Sequence, residues 1–286
     1  MSSSTQPGSN QMKKRIFFNA SASALAGQIV HPEPYCLDAV ACSCLPAAGG
    51  YAEAHVHHHQ GKGIFSFKSA STMAQGGFMA PNDAALLARR DYDDNDFPAQ
   101  TSVEVTLEGF KIDAPRDPAE SGSFARSLEI QHLHSKIGGF YDRRSPSQFK
   151  SLDATIHGVF IEGRELLVDI NLQPFIENDT WQKLDGCLRN GPDRDKCLKQ
   201  IFYHGEGATL GTVVTGLRWK NGAPEQTAIA ENKLTITGLG SLYFGEILIQ
   251  EGSRQLTLVR AQLGSVNVGS GAAADSKGGI QWVPPN

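Results

Sequence analysis

The chain has 286 residues, 40% of them hydrophobic and 20% charged, with 30 glycines and 14 prolines. That composition is globular and excludes wholesale disorder, and no apolar run approaches the roughly 18 residues of a membrane-spanning helix. Acidic residues outnumber basic ones 30 to 26, for a net charge of −4, without the basic stripe of a nucleic-acid binder.

Residues 1–12 are polar and read as a flexible tail. The first strand begins within 13–18, KKRIFF. The small, polar Asn19-Ala20-Ser21 follows, so the apolar run of a secretory signal, about 7–15 residues, is missing. The expectation is a cytoplasmic chain.

Period-two alternation dominates what comes next. TSVEVTLEGFKID, from Thr101, places Val103, Val105 and Leu107 on one face. Residues 112–125 and 141–151 are rich in Pro, Ser, Asp and Arg and read as loops. From Thr155, TIHGVFIEGRELLVDINL reads as a hairpin with Gly163-Arg164 as its turn. That turn sets Ile161 opposite Leu166 and Val159 opposite Val168. Both faces are apolar, so the pair belongs in the middle of a sheet. Between 234 and 263, a Gly252-Ser253 turn sets Ile249 opposite Leu256 and Ile247 opposite Leu258.

One stretch has the helical period. In 177–203, Trp181, Leu184 and Leu188 share a face, as do Leu198, Ile201 and Phe202. Asn190-Gly191-Pro192 separates the two runs, which predicts a short helical hairpin. Ala84 to Arg90 suggests one further helical turn. The C-terminal 264–286 reads as a Gly/Ala/Ser linker ending in an apolar tip. Ile280, Trp282 and Val283 of that tip either pack on their own domain or dock on another copy, and the second reading makes the protein a homo-oligomer.

The five cysteines are 36, 42, 44, 187 and 197. An odd count without an export signal argues against a disulfide framework. Cys187 and Cys197 fall on opposite arms of the helical hairpin and could meet.

The histidines form the one chemical constellation. On a strand, His55, His57 and His59 would share a face. His132-Leu133-His134 is a second His-X-His unit. Strands that brought the units together would offer four or five imidazoles to one ion, with Zn or Fe the expected metal. Gly49, five residues, His55, one residue and His57 resembles the opening of the cupin metal motif. The resemblance implies a metal-dependent enzyme on a β-barrel. It covers fewer than ten residues, and His58-His59-Gln60-Gly61-Lys62 stands where the motif carries its glutamate.

These features predict an all-β fold, a mainly antiparallel sandwich or barrel with a helical hairpin inserted at about 177–203. Residues 13–263 form a single domain. No catalytic motif of the hydrolase, P-loop or dinucleotide type is present. The favoured function is therefore that of a soluble β-rich binding or self-assembly protein. The alternative is a cupin-like metalloenzyme using His55, His57, His59, His132 and His134.

Overall fold

The computed structural model describes residues 15–29, 35–61, 64–79, 98–113, 127–142, 145–205, 207–237, 239–263 and 270–283. In chain order the strands are β1 (Arg15–Ile29), β2 (Tyr35–Cys44), β3 (Gly50–Gly61), β4 (Phe65–Phe78), β5 (Ala99–Asp113), β6 (Ser127–Asp142), β7 (Ser145–Ile161) and β8 (Arg164–Ile170). Three short helices follow: α1 (Gln173–Glu177), α2 (Trp181–Asn190) and α3 (Arg194–Leu198). The remaining strands are β9 (Ile201–Gly205), β10 (Ala208–Thr212), β11 (Val214–Trp219), β12 (Thr227–Ala230), β13 (Lys233–Ile236), β14 (Gly240–Gln250), β15 (Ser253–Leu263) and β16 (Ser270–Val283).

They pair as two antiparallel sheets. One runs β11-β8-β7-β6-β5-β4-β3. The other runs β12-β13-β14-β15-β16-β1-β2, with β10 against β14 and β9 against β10. The fold is thus all-β with a helical insert, as the alternation predicts. The sheets face each other through β1 and β16 on one side and β4, β5 and β6 on the other. Their packing pairs small with large. Ala20, Ala22 and Ala24 of β1 are buried, as are Val103, Val105 and Leu107 of β5 and Leu133 and Ile137 of β6. Alanines let the sheets approach, and each large side chain removed from water stabilises by about 1.5–3 kcal/mol.

Every strand from β3 to β7 slips its alternation at one cross-strand row. Inward residues on β6 are Leu128 and Ile130, then Leu133 and Ile137. On β7 they are Leu152, Ala154 and Ile156, then Val159 and Ile161. The row between contains His58, Lys68, Gly109, Gln131 and Gly158, which the ladder pairs on either side skip. Its members on alternate strands have left-handed backbone: His58 (φ 52°), Gly109 (φ 62°) and Gly158 (φ 66°). The register is the same on both sides of the row, so no residue is inserted; all five strands flip their facing together and crease the sheet. The other sheet slips likewise at Gly245 (φ 63°) of β14, where Phe244 and Ile247 both point inward.

The two sheets are stitched at a corner. β10 of one sheet continues through Val213 into β11 of the other. Val213 is fully buried; its N–H donates to Gly245 O at 2.8 Å and its carbonyl accepts from Asn171 N at 2.8 Å. A Cβ on Gly245 would lie 2.7 Å from Val213 Cγ2, so this approach requires glycine.

Four expectations about strands and their turns need correction. The stretch 141–151 is mostly strand, because β6 runs to Asp142 and β7 starts at Ser145. Val159 pairs with Leu166 and Ile161 with Arg164, so the turn is Glu162-Gly163. Both turn residues have positive φ (52° and 75°), which matches the right-handed strand twist. In the last long hairpin Ile249 pairs with Arg254 and Ile247 with Leu256, so the turn is Glu251-Gly252. Finally, much of the supposed linker is β16, paired with β15 on one side and β1 on the other. The backbones of Ile280, Trp282 and Val283 pair with Phe18, Ile16 and Arg15 of the same chain. Residues 1–12 and the possible turn at Ala84 to Arg90 lie outside the described residues.

The first helical run forms where the hydrophobic spacing places it; the second ends at Leu198, because Ile201 and Phe202 pair into β9 against β10 instead of sharing a helical face. Thr180 caps α2 by accepting from Lys183 N at 3.1 Å, and Leu184 and Leu188 face the core. Arg254, 1% exposed, ties the insert to β15 by donating to Phe175 O (2.8 Å) and Asn178 O (2.6 Å). Its guanidinium also lies 4.6 Å from the Phe149 ring centroid. Burial pulls its pKa down to about 10, against the favourable charge of Asp179, so it stays charged at neutral pH.

Candidate functional sites: the histidine face and the cleft at the helical insert

His55 and His57 lie on β3, at the edge of the seven-stranded sheet, and both are exposed. His132 and His134 lie on β6. The register runs His57–Ser69–Glu108–His132–His157 and, in the next row, His55–Ser71–Thr106–His134–Thr155. Both His-X-His units therefore share one outward face. Two strands separate them, which at the usual spacing is about 14 Å. They do not converge on one ion. His59 leaves the set because the left-handed His58 flips the alternation, and its ring stacks on Phe67, centroids 5.2 Å apart. Among the described residues no group of three or more His, Cys, Asp or Glu is placed to hold a metal.

What the face does contain is local pairing. His132 Nδ1 lies 2.7 Å from Glu108 Oε1, and His134 Nδ1 lies 3.1 Å from Thr106 Oγ1. The two rings stand 6.4 Å apart at 13°. On β3, Tyr51 donates to Glu53, whose carboxylate holds the phenol proton and raises its pKa. His55 Nε2 lies 3.8 Å from the same carboxylate. These contacts hold the histidines in cross-strand or same-strand pairs, which is how a polar sheet face is stabilised.

A second place has the shape of a binding site. A cleft of about 850 Å³ opens between the three helices and the corner formed by β9, β10 and β11. Ligand pockets commonly measure roughly 300–1,000 Å³. Gln200 stands at its base, 2% exposed. Its side-chain amide donates to Asn171 O and Thr212 O, both at 2.9 Å, and accepts from Asn171 Nδ2 at 3.3 Å. These bonds fix the corner beneath the helices.

The walls mix apolar and hydrogen-bonding groups: Pro174, Pro192, Phe202 and Val214 beside Asn178 and Thr215. The lining charges balance in sign, with Lys183, Lys196 and Lys199 against Glu177, Asp193 and Glu231. Lys183 Nζ meets Asp179 at 2.7 Å, and Lys196 Nζ meets Asp193 at 2.8 Å. Asp193, hydrogen-bonded to Lys196, raises that lysine's pKa. Cys187 and Cys197 also line the cleft, with sulfurs 3.1 Å apart. Burial, then the Cys187 contact, pushes the Cys197 thiol up to about 12. Sequence reading missed this cleft because its lining comes from segments between 171 and 231 that form no motif. The break from strand to helix period at 177–203 and the two cysteines are its only local signals.

A family model described as a domain of unknown function (DUF8256) matches residues 16–114, covering β1 to β5 but not the helical insert. No curated protein matches the chain. Among solved structures, the translocator domain of autotransporter NalP from Neisseria meningitidis shares 10% identity, across 95% of this chain and 90% of that one. The TM-score is 0.17, too loose a superposition to bear on this fold. Among the described residues no helix is long and apolar enough to cross a membrane.

Proposed function

We propose that the protein works by binding, and that its ligand is a small, mostly uncharged polar molecule held in the cleft at the helical insert. The observation that carries this reading is the cleft itself, sized for such a molecule and rooted on a fully hydrogen-bonded corner. Its chemistry sets the ligand class. Three lysines and three carboxylates line the cleft and balance in charge, whereas the Asn178 amide oxygen and the Thr215 hydroxyl oxygen can accept hydrogen bonds beside the apolar surface of Phe202. A rigid scaffold carrying polar groups on connecting segments is the usual arrangement for recognition.

The test is a saturation-transfer NMR screen of neutral sugars, polyols and small amides against the full chain. Thr215→Trp fills the cleft, and His132→Ala alters the distant sheet face. Hits retained by His132→Ala and lost in Thr215→Trp are expected. Hits that survive Thr215→Trp, or an absence of hits, would overturn the reading.

A further inference from the structure

Cys187 sits in the last turn of α2 and Cys197 in α3, ten residues on. The turn between them is built tightly. Gly191 N–H donates to Cys187 O at 3.0 Å, and Arg194 N–H donates to Gly191 O at 3.2 Å. A Cβ on Gly191 would come within 2.7 Å of Cys187 Cα, so the chain folds directly back on Cys187. That reversal brings the two sulfurs to 3.1 Å. A disulfide requires about 2.0 Å, so closure needs sulfur movement of only about 1 Å. The two thiols differ in access. Cys187 is half-buried and Cys197 is buried, yet both border the cleft.

We propose that Cys187 and Cys197 are a redox pair, converted by thiol–disulfide exchange with a low-molecular-weight disulfide into a bond that staples α2 to α3 along the cleft wall. The accessible Cys187 reacts first. Its thiolate attacks one sulfur of the small disulfide, forming a mixed disulfide and expelling one small thiolate. Cys197 then loses its proton to solvent and attacks Cys187 Sγ. The intramolecular bond forms and the second small thiolate leaves. In sum, one small disulfide is reduced to two thiols and two protein thiols are oxidised to one disulfide. Burial of Cys197, the first cause of its raised pKa, slows the second step at neutral pH. This pair does not depend on what the cleft holds.

The experiment uses the full chain with Cys36, Cys42 and Cys44 replaced by serine, equilibrated in mixtures of reduced and oxidised glutathione. Free thiols are then blocked with a maleimide and the intact mass measured. A species lacking two hydrogens and carrying no maleimide or glutathione is expected. In Cys197→Ser the glutathione adduct on Cys187 should persist, and in Cys187→Ser the buried Cys197 should remain reduced. Peptide mapping of the unmodified five-cysteine protein under the same conditions should recover a Cys187–Cys197 linked peptide, which keeps the test valid if the serine background fails to fold. A persistent glutathione adduct on the intact pair, no reaction in excess oxidised glutathione, or a bond from either residue to Cys42 or Cys44 would overturn the proposal.

Discussion

Gly109 and Gly158 hold left-handed backbone (φ 62° and 66°) in the same cross-strand row of the seven-stranded sheet, two strands apart. Neither hollow is empty. A Cβ on Gly109 would meet Lys68 Cγ and Cδ at 2.8 Å, and one on Gly158 would meet Gln131 Cγ at 2.7 Å. Side chains from β4 and β6 thus lie across the glycines of β5 and β7. This crease turns His132, His134 and His157 outward while Leu128, Ile130, Val159 and Ile161 still point inward.

Gly158→Ala tests the crease. An L-residue in the left-handed region costs about 1–2 kcal/mol, and displacing Gln131 adds to that. Urea unfolding should show a lower midpoint with an unchanged slope. An unchanged midpoint would mean that the crease does not require glycine at this position.

The alternation of β5 and β7 was legible because a half-buried strand writes its period into the sequence. The slips were not, since each depends on its partner strands slipping in the same row. His59 shows the consequence: strict alternation groups it with His55 and His57, and one left-handed residue removes it. The Glu-Gly pairs at 108–109, 162–163 and 251–252 look alike in sequence. The first lies within a continuous strand, at the crease, and the other two form turns. β16 was illegible for another reason. Its Gly, Ala and Ser have weak strand preference, and only two flanking strands make it regular.

Arg260 and Glu246 make a bidentate pair on the outer hairpin, at 2.6 and 2.7 Å, with the guanidinium 3.8 Å from the Tyr243 ring centroid. The carboxylate, by hydrogen bond first, raises the arginine's pKa. The Arg260 side chain is 35% exposed, so solvent screens the pair. Arg260→Met should cost about 1–2 kcal/mol, much of it from the carboxylate left unpaired. Adding Glu246→Gln should recover part of that loss. A double-mutant cycle in denaturant gives the coupling, and strict additivity would show that the pair contributes no coupling.

Asp185 of α2 gives the insert an acid limit. Its carboxylate accepts from Arg189 Nε at 2.9 Å and lies 3.0 Å from His204 Nε2. The Arg189 hydrogen bond, then charge and the His204 contact, lower its pKa. A depressed carboxylate pKa gives stability that is present above the unfolded value, about 3.9, and lost as pH falls through the folded value. Between pH 5 and pH 3 the native protein should lose more thermal stability than Asp185→Asn does. Parallel melting curves would show the carboxylate to be energetically silent.

The C-terminal strand provides the sharpest separation of two roles. Deleting 279–286 removes the pairing of residues 280–283 with 15–18 of β1. It leaves 270–278 in place between β1 and β15. A net backbone hydrogen bond contributes about 0.5–1.5 kcal/mol, so losing three or four of them should lower stability by about 2–4 kcal/mol. Deleting 270–286 instead withdraws an interior strand that borders β1 and β15, and that chain should not fold cooperatively. Light scattering of the shorter deletion decides whether the tip also joins copies. An unchanged molar mass with reduced stability is the expected result. A fall in molar mass with stability intact would show that Ile280, Trp282 and Val283 act between copies rather than on their own β1.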